Sequence, residues 1–224
     1  MLLELYNKIG FAVCQQISDR TIYINGLKMP VDTRMTGLFI GFLITIPILL
    51  ILYSQATDYP QKRVFAFGIL AILFLAFDGI TSYTGLRQTT NSIRLVSGLP
   101  VGSFIAILLL SAFNETNRYF HDQSASKENE TKIKLLQSSW HQLLVLLALA
   151  FTFFLINSRL MFLKYLLPTL IISGIISAFL LLNLTVFNYY ISKRSLRFIA
   201  TIAASSLELF LAYQVHAFVL LLKT

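Results

Sequence analysis

The chain has 224 residues, 56% of them hydrophobic and only 12% charged, against roughly 25% charged in a soluble domain. With a mean hydropathy of +0.73, that composition excludes a water-soluble globular protein. The net charge of +8 would point to nucleic acid in a soluble chain. In a membrane protein, basic loops mark topology and contact with anionic lipid, so membrane lipids are the expected partners and nucleic acid is not.

In chain order, residues 1–35 come first. Glu4, Lys8 and Gly10 stand where a signal peptide would carry a basic region, an apolar core and a small-residue cleavage site, so none is expected. Leu2, Leu3, Leu5, Ile9, Phe11 and Val13 alternate with Asn7, Gln15 and Gln16, the pattern of an amphipathic helix at the membrane interface. Asn25-Gly26 between two short apolar runs predicts a tight hairpin. Asp32 or Thr33 is placed to cap the next helix, and Thr36, Gly37 and Gly41 give it a small-residue face that another backbone can approach.

Uncharged runs follow at 36–53, 64–77, 101–113, 143–158, 165–192 and 198–222, the last interrupted only by Glu208. About 20 apolar residues cross the hydrocarbon core as a helix. The second run reaches that length by continuing to Tyr83, the third by starting at Gly98. The expectation is an all-α polytopic bundle of about six transmembrane helices with an N-terminal interfacial helix and hairpin. It divides into residues 1–35, a three-helix half at 36–113, a polar loop at 114–139 and a second three-helix half at 140–224. Pro47 and Pro168 are expected to bend or begin helices.

The most unusual stretch is 78–102. On a helix, Asp78, Thr81, Ser82 and Gly85 share one face, and Arg87, Asn91 and Arg94 share another. An aspartate at the end of a membrane helix needs a partner or a polar cavity, and Arg87 and Arg94 are the nearest candidates. Two arginines with Asn and Thr donors between them suit phosphate or carboxylate, which a guanidinium grips bidentately. Three readings stay open: a buried Asp–Arg pair that fixes helix packing, an anion-binding site closed by Arg20 or Arg34, and proton or ion handling.

Later residues say less. Glu208 lies midway through the last run, on a face with Ser205 and Ala212 that continues towards His216. The two form a candidate intramembrane proton or polar site, against the plainer reading of a carboxyl bonded to a neighbouring helix. His121, His141 and His216 are scattered, and Cys14 is the only cysteine, so no metal, haem or other cofactor is expected. Lys and Arg divide nine against nine between the two membrane faces. Setting aside Arg20, Arg34, Arg87 and Arg94 as site residues leaves five against nine, which favours a cytoplasmic 114–139 loop.

Cys14-Gln15-Gln16, Arg20-Thr21, Gly26, Pro30, Arg34, Thr36-Gly37 and Gly41, then Asp78-Gly79, Thr81, Gly85, Arg87, Thr89, Asn91, Arg94 and Gly98, carry a resemblance. Together they resemble a bacterial membrane family, domain of unknown function 2085, over about the first 105 residues. That family's pattern has Cys-His-Gln and Cys-x-Arg-Cys-Thr-Gly, a set suited to zinc. Here those ligand places hold Cys14, Gln15, Asp32 and Met35, which implies that any metal site is lost while the arginines and Asn91 remain. A looser likeness to VanZ-like membrane proteins implies an envelope-lipid connection.

The leading expectation is a protein of the bacterial inner membrane that binds an anionic, phosphate-bearing lipid or small ligand. Arg87, Asn91 and Arg94 would contact the anion, Asp78 and Thr81 would support them, and Arg20 or Arg34 would close the pocket. The alternative is a non-catalytic accessory subunit of a larger membrane complex, with other membrane proteins as partners. No nucleophile or acidic metal-binding pair marks an enzyme, and the sequence leaves that question open.

Overall fold

The computed structural model describes residues 2–53, 59–121 and 135–222, the side chains of 118–121 excepted. Among these residues the order is α1 (Leu2–Val13), a 3-10 turn (Ser18–Arg20), the hairpin strands β1 (Tyr23–Ile24) and β2 (Leu27–Lys28), then α2 (Thr33–Tyr53), α3 (Lys62–Tyr83), α4 (Asn91–His121), α5 (Ser139–Asn157), α6 (Leu163–Tyr190) and α7 (Arg194–Leu221). Six helices, α2 to α7, are long and apolar enough to cross a membrane. The protein is an all-α polytopic membrane protein.

The centre of the bundle is the α2–α4 pair, its most extensive interface. Two Gly-x-x-x-Gly steps face each other there, Gly37 and Gly41 on α2 against Gly98 and Gly102 on α4. A Cβ at Gly37 would lie 2.7 Å from the Leu95 carbonyl oxygen, and one at Gly102 would overlap the Leu38 carbonyl. In hydrocarbon, helices gain little from burying apolar surface, so close backbone packing is what holds such a pair. α6 packs on both α2 and α4, α3 and α5 pack on α4, and α7 packs on α6. Hydrophobic side chains on α3 and α7 face outward, as lipid contact requires.

The expected interfacial helix and hairpin lie over one end of this bundle. Asn25 and Gly26 both have positive φ, 46° and 79°, the conformation a two-residue hairpin turn demands. Tyr23 pairs with Lys28 and Ile24 with Leu27. Asp32 is the helix cap: its Oδ1 accepts the Met35 N–H at 2.8 Å. Pro47 and Pro168 both lie inside helices, in α2 and α6.

Two expected boundaries need correction. The loop expected at 114–139 starts later, because α4 runs on to His121; residues 114–121 contain no glycine or proline to stop it. Residues 122–134 lie outside the described residues, whereas Leu135 and Leu136 are buried in a turn before α5. The third span begins at Asn91 rather than near Gly98, which puts Arg94 inside a membrane helix.

Candidate functional site

Three pieces of chain meet beneath the hairpin: the segment 19–34, the C-terminal end of α3, and the linker 84–90 with the first turn of α4. Asp78 is 0% exposed, one turn and a half before α3 ends at Tyr83. Its carboxylate takes two guanidiniums. Arg34 Nη2 donates to Oδ2 at 2.5 Å, and Arg87 Nη2 donates to Oδ1 at 2.7 Å. Arg34 reaches across from the first turn of α2, so this one carboxylate joins α2, α3 and the linker. Breaking a buried ion pair by removing one partner costs about 3–5 kcal/mol, since a bare charge is left behind.

Sequence spacing misplaced two of these partners. Arg87 shares no helical face with Asn91 and Arg94. It lies in the linker, which turns at Gly85 with φ +75° before α4 starts. Arg94 does not bind Asp78; Arg34, 44 positions away from Asp78, takes that place. Arg94, 8% exposed, instead donates from Nη1 to Asn91 Oδ1 at 3.1 Å and to the Asp19 carbonyl at 3.4 Å. Asn91 Nδ2 donates to the Thr21 carbonyl at 3.4 Å. The α4 N-terminus is thereby tied to the segment before the hairpin.

Arg20 comes in from the other side. Its guanidinium lies 4.1 Å over the Tyr83 ring, a cation–π contact worth about 0.5–2 kcal/mol. Its carbonyl accepts the Thr33 hydroxyl at 2.8 Å, which joins the 3-10 turn to the start of α2. The charges of Arg20 and Arg34, and the opposing charges of Asp78 and Asp32, all act on Arg94. Four arginines therefore gather around one buried carboxylate. Asp32 Oδ1 is committed to its helix cap.

Each of the four keeps a buried nitrogen with no hydrogen-bond partner: Arg20 Nη1, Arg34 Nε, Arg87 Nε and Arg94 Nε, joined by the Thr89 hydroxyl oxygen. Among the described residues, only Asn188 Oδ1 adds to this set of buried unpartnered side-chain atoms. Such atoms cost about 1–3 kcal/mol each when unmet, more when charged. Five of the six belong to the cluster and its linker, all five able to donate and four of them cationic, a set of donors whose chemistry suits an anion.

The other expected residues are distributed differently. Thr81 turns back onto its own helix and donates to the Phe77 carbonyl at 2.7 Å, so it supports α3 rather than lining the cluster. Glu208 and His216 do not form one site: Asn183 Nδ2 of α6 donates to Glu208 Oε2 at 2.7 Å, whereas His216 Nδ1 bonds the Phe11 carbonyl of α1 at 2.8 Å. Cys14 is buried, and its Sγ accepts the N–H groups of Asp32 at 3.2 Å and Gln16 at 3.4 Å. Its burial and the nearby Asp32 charge push its thiol pKa up to about 11. Among the described residues, no group of three His, Cys, Asp or Glu side chains is gathered to hold a metal. Tyr83 and the Asp19 carbonyl joined the site unannounced, since nothing in a lone tyrosine or peptide carbonyl distinguishes it in sequence.

An uncharacterized protein of Methanocaldococcus jannaschii is 30% identical over 105 residues, which span 46% of this chain and 65% of that protein. An uncharacterized protein of Methanothermobacter thermautotrophicus is 30% identical over 99 residues, 43% of this chain and 83% of its own length. Both organisms are archaea, so the comparisons do not show the bacterial source expected above, nor the likeness to VanZ-like proteins. No solved structure matches. Residues 14–108, which hold every arginine of the cluster, match the family described as predicted membrane protein (DUF2085). The chain belongs to that family.

Proposed function

We propose that this integral membrane protein binds an anionic, phosphate-bearing lipid or small ligand at the Arg20, Arg34, Arg87 and Arg94 cluster. The observation that carries this reading is the set of leftover cationic donors. Two guanidiniums, Arg34 and Arg87, share the fully buried Asp78 carboxylate, Arg94 and Arg20 lie on other partners, and each of the four has a buried nitrogen still without a partner. Asp78 holds Arg34 and Arg87 in place. Arg94 is steadied by Asn91, and Arg20 is seated on Tyr83. A dianionic phosphate would meet the leftover donors and balance the charge in a medium that penalises an unpaired ion by several kcal/mol. The membrane proposed is a prokaryotic cytoplasmic membrane.

One observation favours a second reading, an accessory subunit in which the arginines are polar glue: Asp78 already pairs two of them and joins three chain segments. The two readings part on anion binding. In detergent, inorganic phosphate at millimolar concentration should raise the melting temperature of the wild-type protein, whereas chloride at equal ionic strength should not. Arg87→Lys should abolish the effect despite keeping the charge, because an ammonium cannot span Asp78 and a phosphate as the planar fork does. Equal responses to phosphate and chloride would favour the subunit reading.

A further inference from the structure

α7 is the least enclosed of the six spanning helices. It packs on α6 and α1, and those contacts occupy one side of it. Asn183 of α6 bonds Ser205 and Glu208, and Phe11 of α1 meets Tyr213 and His216. The opposite side carries Leu196, Ala200, Ala203, Leu207, Phe210 and Gln214, at alternating steps of four and three residues. Leu196, Leu207 and Phe210 are each more than half exposed, and Gln214 is exposed with them. Such a 3.5-residue repeat is the seam along which two helices coil around each other, and Ala200 and Ala203 let a second backbone come close.

Gln214 separates this face from ordinary lipid contact, for it has no hydrogen-bond partner among the described residues. The Asn183–Glu208 bond fixes the height of α7 against α6. From Asn183, α6 runs back about 30 Å to its start at Leu163, whereas Gln214 stands only about 9 Å above Glu208. Measured along the helices, Gln214 lies about 20 Å below the start of α6, inside a hydrocarbon core about 30 Å thick. Every other exposed Asn, Gln, Asp, Glu, Lys or Arg described in a spanning helix lies within six residues of that helix's end. A carboxamide at that depth needs another polar group, and lipid tails have none. A second copy supplies one at the right height. Copies in a bilayer share one orientation, so a twofold axis along the membrane normal sets each residue of one α7 level with the same residue of the other. A carboxamide both donates and accepts, so two Gln214 side chains satisfy each other.

We propose that the chain forms a parallel homodimer in the membrane through this face of α7, with the two Gln214 carboxamides hydrogen-bonded to each other across the twofold axis. α7 lies outside residues 14–108, which match the family, so the interface is separate from the arginine cluster and does not depend on the anion-site reading.

Two measurements on the full chain test this. In cell membranes of a Cys14→Ala background, a membrane-permeant copper–phenanthroline oxidant should link Leu207→Cys, on the seam, into a species of twice the 25.4 kDa chain mass. It should leave Val215→Cys unlinked, because Val215 is as exposed but points away from the seam. Sedimentation equilibrium in density-matched detergent then reads the affinity. Wild type should sediment as a monomer–dimer equilibrium, and Gln214→Leu should weaken it about tenfold. That variant touches nothing else in the chain, so its melting temperature at monomeric dilution should match wild type. A wild type that stays monomeric by both measurements would overturn the dimer, as would linking at Val215→Cys equal to that at Leu207→Cys. Linking of Leu207→Cys to a chain of different mass would replace the second copy with another protein and overturn the proposal. Undiminished dimerisation of Gln214→Leu would overturn the carboxamide pair.

Discussion

Asp78 is the side chain that joins three segments of the chain through ion pairs. It is fully buried and holds Arg34 and Arg87 through separate carboxylate oxygens. Asp78→Asn keeps the shape but leaves two guanidiniums facing a neutral amide, so it should cost about 3 kcal/mol or more of stability. Chemical unfolding of the purified variant in detergent measures this, and a loss below about 1 kcal/mol would mean that the pair is solvated. Cys14 gives a pH test. Its thiol holds its proton to about pH 11 in the folded protein, against 9.0 for a free thiol. Between those values the folded state binds more protons than the unfolded one, so stability falls as pH rises from 9 to 11. Wild type should lose melting temperature relative to Cys14→Ala across that window, and a constant gap would contradict the burial of the thiol. At this scale the sequence pointed well to residue types and poorly to pairs. Asp78 and the arginines were conspicuous as charges in an apolar chain. Their partners were not, because Arg34 is 44 residues away and Gly85 turns the chain between Asp78 and Arg87.

Helices were the most legible level. Six apolar runs gave six spans, since a bilayer demands both the length and internally satisfied backbone groups. Their ends were uneven. α3 continues past Asp78 to Tyr83 as expected, whereas α4 begins at Asn91, well before Gly98, because Arg94 is hydrogen-bonded locally and does not stop a helix. The small-residue face of α2 was visible; its partner was not, since Gly98 and Gly102 could have served any neighbouring helix. The facing Gly-x-x-x-Gly steps predict a contrast between two glycines. Gly102→Ala should lower stability by about 2 kcal/mol or more, because its Cβ overlaps the Leu38 carbonyl and two backbones must separate. Gly85→Ala meets no atom within 4 Å and pays only for its positive φ, about 1 kcal/mol. Paired unfolding curves decide this, and equal losses would mean that the α2–α4 seam yields easily.

For the whole molecule, the arginine cluster also bears on orientation. Arg34 and Arg87 are engaged with Asp78, Arg94 with Asn91 and Arg20 with Tyr83, so these four are set aside from the topology count. The remaining basic residues divide five against nine, from which we predict that the cluster and hairpin lie outside the cytoplasm. An impermeant maleimide should label Leu160→Cys, in the turn between α5 and α6 at the cluster's end of the bundle, in intact cells of a Cys14→Ala background. It should spare Ser126→Cys, between α4 and α5. The reverse pattern would invert the protein. The central claim is that the cluster holds an anion, and native mass spectrometry of protein extracted in a lipid-retaining polymer tests it most directly. One phosphate-bearing molecule per chain should remain on the wild-type protein and be lost from a folded Arg94→Ala variant, whereas identical spectra from the two would contradict the account.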